Sequence, residues 1–343
     1  MSAPASVSRT DASTTATNPR FNRRVIGNLL LGVVLIAVPF WLPLVGGYTD
    51  LASRVLIYAL AAMGLNLLLG FTGGLSFGHA AYFGLGAYGV GLMLKYETHN
   101  IFLALLAGTL LGGAAAALLG PIAARRRGIY FSMITIAIGQ MFYFIAVRWN
   151  DFTGGYDGLT GFSRHPVHLP GLTLPMGSLD FYYMVLICFG LGAWVLWTIL
   201  NSPLGHTFVA IRENHKRLTF LGIRTQRYIA ISFAISGTIA ALAGGLDAMY
   251  GNFTSPNVLE YTLSGNFLII AVLGGMRNFW GPLVGAVIFI LVRDYVSSIT
   301  HNWMTVIGLI FVVSVLFFPL GILGSIKDWR ALISPRIREQ DAP

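Results

Sequence analysis

The side chains that could do chemistry are few, and their spacing assembles no reaction centre. Seven histidines, His79, His99, His165, His168, His206, His215 and His301, lack the short repeats that bring metal ligands together. No metal site is expected. Cys188 is the single cysteine and lies in an apolar run, so no disulfide or thiolate site can form within the chain. A phosphate-binding loop needs Gly-Lys-Ser/Thr, and the only lysines, Lys95, Lys216 and Lys327, follow Leu94, His215 and Ile326. No nucleophile, base and orienting group fall together, so neither catalysis nor a bound cofactor is expected of this chain.

The polar residues that need explaining lie inside apolar runs, because a charge at a bilayer centre costs about 2.5–3.5 kcal/mol on insertion scales. Asp247, Arg293 and Asp294 fall near helix ends, where reach to the interface or pairing with one another competes with contact to a solute. Asn66 and Gln140 are uncharged and suit hydrogen bonds between helices. His79 sits among glycines and aromatics, where a hydrogen-bonded packing role competes with lining a path.

Membrane helices must position these groups. Hydrophobic residues make up 55% of the 343 and charged residues 10%, against about 25% charged in a soluble domain. The apolar residues come in blocks of about 20, the length of helix that crosses a hydrocarbon core. The alternating pattern of a membrane β-barrel is absent. The runs predict helices near 25–45, 53–69, 77–94, 101–122, 129–148, 181–200, 229–250, 264–276, 280–298 and 303–324. The eighth is too short to span alone, so the expected fold is an all-α polytopic transmembrane bundle of nine or ten spans. Residues 1–24 read as a disordered tail before a retained first helix, 25–326 as the membrane domain and 327–343 as a second tail.

With the N-terminus inside, all but five of the 22 Lys and Arg residues fall on the cytoplasmic side; the exceptions are Arg54, Lys95, Arg148, Arg164 and Arg293. That asymmetry obeys the positive-inside rule and puts both termini in the cytoplasm. It also explains the net charge of +9 without a nucleic-acid partner. The segment 149–180 lies outside and carries Thr153-Gly154-Gly155-Tyr156-Asp157-Gly158-Leu159, the composition of a compact loop.

Glycines crowd the stretch between Leu69 and Leu92, and small residues four apart at Gly74/Gly78, Ala80/Gly84 and Ala87/Gly91 let backbones approach closely. The same chemistry suits a broken segment lining a translocation path. Gly74, Gly78, His79 and Gly84 are candidates for that path, with Gly274 and Gly275, because Gly274, Gly275 and Gly285 repeat the offsets of Gly73, Gly74 and Gly84.

The longest internal cytoplasmic segment, 201–227, predicts a short amphipathic helix. Ser202 suits the N-cap, Pro203 the first turn and Gly222 a left-handed end. Phe208, Ile211, Leu218 and Leu221 share one face, and Glu213 and Arg217 are spaced for an ion pair. Spacing alone leaves two roles open, a helix lying on lipid headgroups and a helix docked on a protein.

Four stretches bear a resemblance that favours the second role: Gly205-His206-Thr207-Phe208-Val209-Ala210-Ile211-Arg212-Glu213-Asn214 with Leu221-Gly222-Ile223; Leu65 to Gly70 with Ser76 to Ala80; Thr153 to Leu159; and Val272 to Met276 with Trp280-Gly281-Pro282. Together, over about residues 50–325, they resemble the LivM-type permeases of branched-chain amino-acid ABC importers. The resemblance implies an inner-membrane importer built from this permease, a second related permease, two cytoplasmic ATPase chains that hold the ATP and Mg, and a periplasmic substrate-binding protein. It implies that Gly205, Ala210, Ile211, Arg212, Glu213, Asn214, Leu221 and Gly222 couple the helices to an ATPase. The rival is an ion-gradient-driven carrier or channel, which commonly needs mid-membrane carboxylates or histidines that are not convincingly offered here.

The charge asymmetry yields a test of orientation. In a Cys188→Ser background, Arg126→Cys is expected to react with an impermeant maleimide from the cytoplasmic side and Thr160→Cys from the opposite side. Labelling of both from one side overturns the topology.

Overall fold

The structure is a computed structural model, and it describes residues 19–42, 47–98, 100–164, 167–169, 172–174, 176–300, 302–317 and 321–325. The C-terminal tail at 327–343, most of the N-terminal tail, and His99, His165 and His301 lie outside the described residues. Twelve helices are named here in chain order: α1 (Pro19–Trp41), α2 (Thr49–Asn66), α3 (His79–Leu92), α4 (Ile101–Ala123), α5 (Ile129–Arg148), α6 (Asn150–Thr153), α7 (Ser178–Leu200), α8 (Pro203–Phe220), α9 (Thr225–Gly251), α10 (Tyr261–Gly274), α11 (Gly281–Ile299) and α12 (Trp303–Phe317). α1 starts at Pro19, inside the segment expected to be a tail. The sequence expectation of helix alone misses one small hairpin, β1 (Val167–Leu169) paired antiparallel with β2 (Leu172–Leu174).

Each of the ten expected spans falls on a helix. Six helices among the described residues are long and apolar enough to cross a membrane: α2 with the turn that follows it, α4, α5, α7, α9 and α11. Leu30–Trp41 of α1, α10, and Trp303–Ser314 of α12 are apolar but shorter. α3 has 14 residues and runs on as a π-helical turn, Met93–Glu97.

α2 is the centre of the bundle, with 89% of its apolar window buried. It packs against α7, α9, α10 and α11, while α3, α4 and α9 form a second tight group beside it. α4, α5 and α7 bury only 28–39% of theirs, leaving Leu110, Leu118, Ile187 and Trp194 exposed. Such surfaces suit lipid, where burial of apolar groups no longer drives helices together and close packing must do so.

Glycines supply that packing. A Cβ on Gly86 of α3 would run into the carbonyl of Ala241 on α9, and one on Gly244 of α9 into the carbonyl of Phe83. Gly112 of α4 closes the group, with the Ala241 methyl 2.5 Å from where its Cβ would lie. The obstacles at Gly86 and Gly244 are backbone, which cannot rotate away as a side chain can. Tyr58, Phe83 and Phe267 then interlock α2, α3 and α10 with ring centroids 5.2–6.4 Å apart.

The loop after α5 is compact, as its composition implies. Left-handed Gly154 and Gly158 turn the chain, and Leu159 and Thr254 exchange backbone hydrogen bonds at 2.7 and 3.1 Å, pinning the loop to the exit of α9. Near it, Tyr48 donates to Asp294 at 3.3 Å, Arg293 lies 4.9 Å from the Trp303 ring, and Arg54 lies 5.7 Å from the Tyr58 ring. The only ion pair among the described residues is elsewhere, so Asp247, Arg293 and Asp294 do not pair with one another.

Gly86→Val and Gly244→Val should each destabilise the bundle by about 3 kcal/mol, the upper end for small-to-large changes, because backbone blocks the added atoms. Ala114→Val, at an exposed position of α4, should cost about 0.5 kcal/mol or less. Thermal unfolding in detergent reads the difference; equal stability of the three variants contradicts the packing argument.

Candidate functional site

α2 does not end as an ordinary helix. After Asn66 it widens into a π-helical turn, Leu67–Thr72, and stops at Gly73 with φ of 83°, a left-handed conformation that glycine adopts without strain. α10 breaks in a related way at Gly275, with φ of 116°. The two breaks meet: the Asn66 amide donates to the Asn278 carbonyl at 3.2 Å, and Gly70 is small because the Met276 carbonyl occupies the space of a side chain. The left-handed residue is the first of the pair Gly73-Gly74 but the second of Gly274-Gly275, so the repeated offsets do not carry over residue by residue. Gly274 instead makes room for the carbonyl of Gly281 as α11 begins.

The chain between the α2 break and α3 is held from three sides. Ser132 of α5 donates to the Leu75 carbonyl at 2.7 Å, and the Phe77 amide donates to the Thr135 hydroxyl at 3.2 Å. Gly78 faces the Thr135 carbonyl, with no room for a side chain, and Gly74 sits against Leu68 and Phe131. Ser264 of α10 accepts from the Ala80 amide at 2.8 Å, satisfying one of the free donors at the start of α3.

His79 is fully buried and ties this segment to α9 and α2. Its Nε2 lies 2.5 Å from the Ser236 hydroxyl and its Nδ1 3.1 Å from that of Ser76. Ser236 donates its one proton to the Gly64 carbonyl. It can therefore only accept from the ring, which makes Nε2 the protonated nitrogen and Nδ1 the acceptor of the Ser76 proton. Both nitrogens are occupied in that arrangement.

Helix α8, which the sequence predicts as a cytoplasmic segment, reaches the same break. Phe208 and Ile211 are buried, and Gly205 packs so closely on the end of α7 that a Cβ would meet the carbonyls of Leu200 and Ile199. From α8 the Arg212 guanidinium donates to the Gly70 carbonyl in the π-helical turn, and its stem lies against Gly73. Burial, and then the neighbouring Arg277, hold the Arg212 pKa below its ordinary value, while Glu213 acts the other way.

Three expectations for α8 need correction. At Asn214 the backbone leaves the helix (φ −154°, ψ 86°), and its side-chain oxygen accepts from the Arg217 amide at 3.0 Å, capping a second short helix. The kink removes the i, i+4 geometry for Glu213 and Arg217; Glu213 lies instead 3.9 Å from Arg212. It also turns Leu221 away from the apolar face, to 71% exposure. Ser202 does not cap with its side chain, which donates to the Ile199 carbonyl at 2.6 Å. Gly222 does end the helix left-handed at φ of 81°, with the Ile223 and Gly222 amides closing back on Leu218 and Thr219 at 3.0 Å each.

Of the residues singled out in the sequence, Gly74, Gly78, His79 and Arg212 gather around the α2 break, and Gly274 and Gly275 form the break that meets it. Gly84 lies apart, against Leu259. Ala210 is half-buried on α8, while Glu213 and Asn214 are exposed. Sequence reasoning gave no individual role to Gly70, Ser76, Ser236 or Asn278. A serine inside the apolar run of α9 was the available signal for Ser236. Among the described residues no three His, Cys, Asp or Glu side chains group as metal ligands.

Residues 47–315 match the family described as the branched-chain amino acid transport system permease component, and the chain belongs to that family. It is thus a permease of the ABC transport class, with several apolar helices suited to a membrane. The high-affinity branched-chain amino acid transport system permease protein LivM of Salmonella typhimurium is 27% identical over 333 residues, covering 91% of this chain and 78% of the relative. LivM of Escherichia coli K12 is 26% identical, covering 86% and 74%. The autoinducer 2 import system permease protein LsrC of Escherichia coli is 27% identical, covering 78% and 76%. No solved structure matches.

The His79 network yields a stability test. His79→Leu fills the space but strands the Ser76 proton, at about 1–3 kcal/mol. His79→Ala adds a cavity to that loss and should cost about 2 kcal/mol more. Thermal unfolding of the purified chain checks the order; an alanine variant as stable as the native chain rules out the network as a structural joint.

Proposed function

We propose that this chain is the transmembrane permease subunit of an ATP-driven importer in the bacterial inner membrane, passing branched-chain amino acids or related small solutes delivered by a periplasmic binding protein. Two cytoplasmic ATPase chains would bind the ATP and Mg, and a second related permease would complete the path. The names of the relatives support this at the level of small solutes, since they include both amino acid and autoinducer 2 systems. LivH, named as a permease protein of the same kind of system as LivM, is also similar, at 25% identity over 78% of this chain, and favours a related second permease.

The observation that carries the reading is the bond from Arg212 of α8 to the Gly70 carbonyl. A π-helical turn has a hydrogen-bond ladder out of step with its neighbours, and such turns are common where helices do work. An ATPase moving α8 would therefore pull on the least regular part of α2, at the joint with α10 and the approach to α3. Gly205 and Ile211 would hold the lever to the membrane body, with Ala210, Glu213, Asn214, Leu221 and Gly222 toward the ATPase. Gly74, Gly78 and His79 would move with the break, beside Gly274 and Gly275. Gly84, farther along α3, would serve close approach to the path.

Two substitutions separate seating from transmission. Ala210→Glu places a carboxylate where a docked α8 would bury it without a partner, and co-purification with the ATPase chains should be lost. Arg212→Ala removes a charged hydrogen bond of about 1.5–3 kcal/mol, so association should survive while uptake in proteoliposomes falls about tenfold or more. Unchanged uptake and ATPase association in both variants removes the coupling role. Uptake driven by an ion gradient without ATP would instead establish the carrier reading.

A further inference from the structure

On the α8 side of the molecule, the α4–α5 loop and the chain leaving α8 enclose a cleft of 710 Å³. Arg125, Arg126, Arg127, Arg224 and Arg227 line it together with His215, and among the described residues no acidic side chain does. Like charges gathered in this way repel unless an anion lies between them. Among the described residues nothing supplies one: the Nη2 nitrogen of Arg127 is buried and has no hydrogen-bond partner. Burial holds the Arg127 guanidinium below its ordinary pKa. Burial, with Arg127 and Lys216 nearby, does the same to His215. A second cavity of 180 Å³ shares Arg126 and Arg127 and extends to Gly73 and Gly74, so the cleft adjoins the α2 break.

The neighbouring surface indicates what kind of anion fits. Ile122 at the end of α4, and Ile129, Tyr130 and Met133 at the start of α5, are 50–78% exposed directly beside the arginines. A free phosphate would satisfy the arginines alone. An anionic lipid would satisfy both surfaces, its phosphates among the guanidiniums and its acyl chains along α4 and α5. Guanidinium forks bind phosphate oxygens in pairs, so five of them suit two phosphates better than one.

We propose that this cleft binds the headgroup of a two-phosphate anionic lipid from the leaflet on the α8 side, bridging the α4–α5 loop to the chain that leaves α8. The assignment to the cytoplasmic leaflet rests on the orientation proposed above. A lipid held there fixes one end of the lever, so transport that depends on α8 becomes sensitive to membrane composition.

The test uses the full chain, purified and delipidated in detergent, with binding read by native mass spectrometry. The probes are diphosphatidylglycerol, phosphatidylglycerol, phosphatidylcholine and inorganic pyrophosphate. Diphosphatidylglycerol should bind best and phosphatidylcholine least. Each arginine removed should weaken the two-phosphate lipid about fivefold, so Arg127→Gln with Arg224→Gln should lose about 25-fold. Arg227→Gln alone should lose about fivefold and covers the case in which the pair fails to fold. Native-like binding by these variants overturns the proposal, as does equal binding of phosphatidylcholine. Pyrophosphate that matches and displaces the lipid would mean a free-phosphate site and overturns the lipid assignment. A photoreactive residue in place of Tyr130 should capture lipid in membranes; capture of an acidic ATPase segment instead would also overturn it. ATPase co-purification, measured separately, reports on the importer assignment, because the titration uses this chain alone.

Discussion

The structure depends on satisfying backbone that leaves the helix inside an apolar bundle. Where water cannot reach a freed amide or carbonyl, irregular backbone survives only if protein supplies the partners. The break after α2 is such a place, and nearly every unusual residue near it answers this requirement. Arg212 takes the Gly70 carbonyl, Asn66 joins the break to the chain after α10, Ser264 takes the first amide of α3, and Thr135 and Ser132 secure the connecting strand of chain. Because those partners come from α5, α8, α10 and the chain after α10, the break cannot shift without engaging all of them.

Much of the fold was legible in the sequence, because span length is a property of single segments. All ten expected spans fall on helices, and Pro203 and Gly222 mark where α8 begins and ends. What stayed hidden depends on pairs. No periodicity could show that Ser236 lies beneath His79, since 157 residues separate them. Nor could it show that Arg212 turns inward to Gly70, 142 residues earlier, when a basic helix face ordinarily faces lipid or water. The amphipathic reading of α8 failed past Asn214 for a local reason: helical spacing presumes an unbroken helix, and an asparagine that caps its own successor breaks it. Glycine counts pointed correctly to close approach but could not tell backbone obstacles, as at Gly86, from the movable side chain of Leu259 beside Gly84.

Cohesion and articulation are separated within the bundle. The α3, α4 and α9 group is joined by glycines against backbone, contacts that tolerate almost no sliding. The joint at the α2 break is made of hydrogen bonds between side chains and carbonyls, which can exchange partners at modest cost. A rigid wall beside a hydrogen-bonded seam is an arrangement in which one part can move while the other keeps the membrane sealed.

The kink at Asn214 divides α8 into two lengths with different mechanical standing. The first is anchored through Gly205 to α7 and through Arg212 to α2, so it behaves as part of the transmembrane body. The second is joined to it by one pair of torsion angles, is capped by Asn214, rests on the core through Leu218, and presents Phe220 and Leu221 at 90% and 71% exposure. A protein gripping that outer length would find a swivel rather than a rod. It could tolerate sideways misalignment between itself and the membrane, while a thrust along the axis would still reach Arg212.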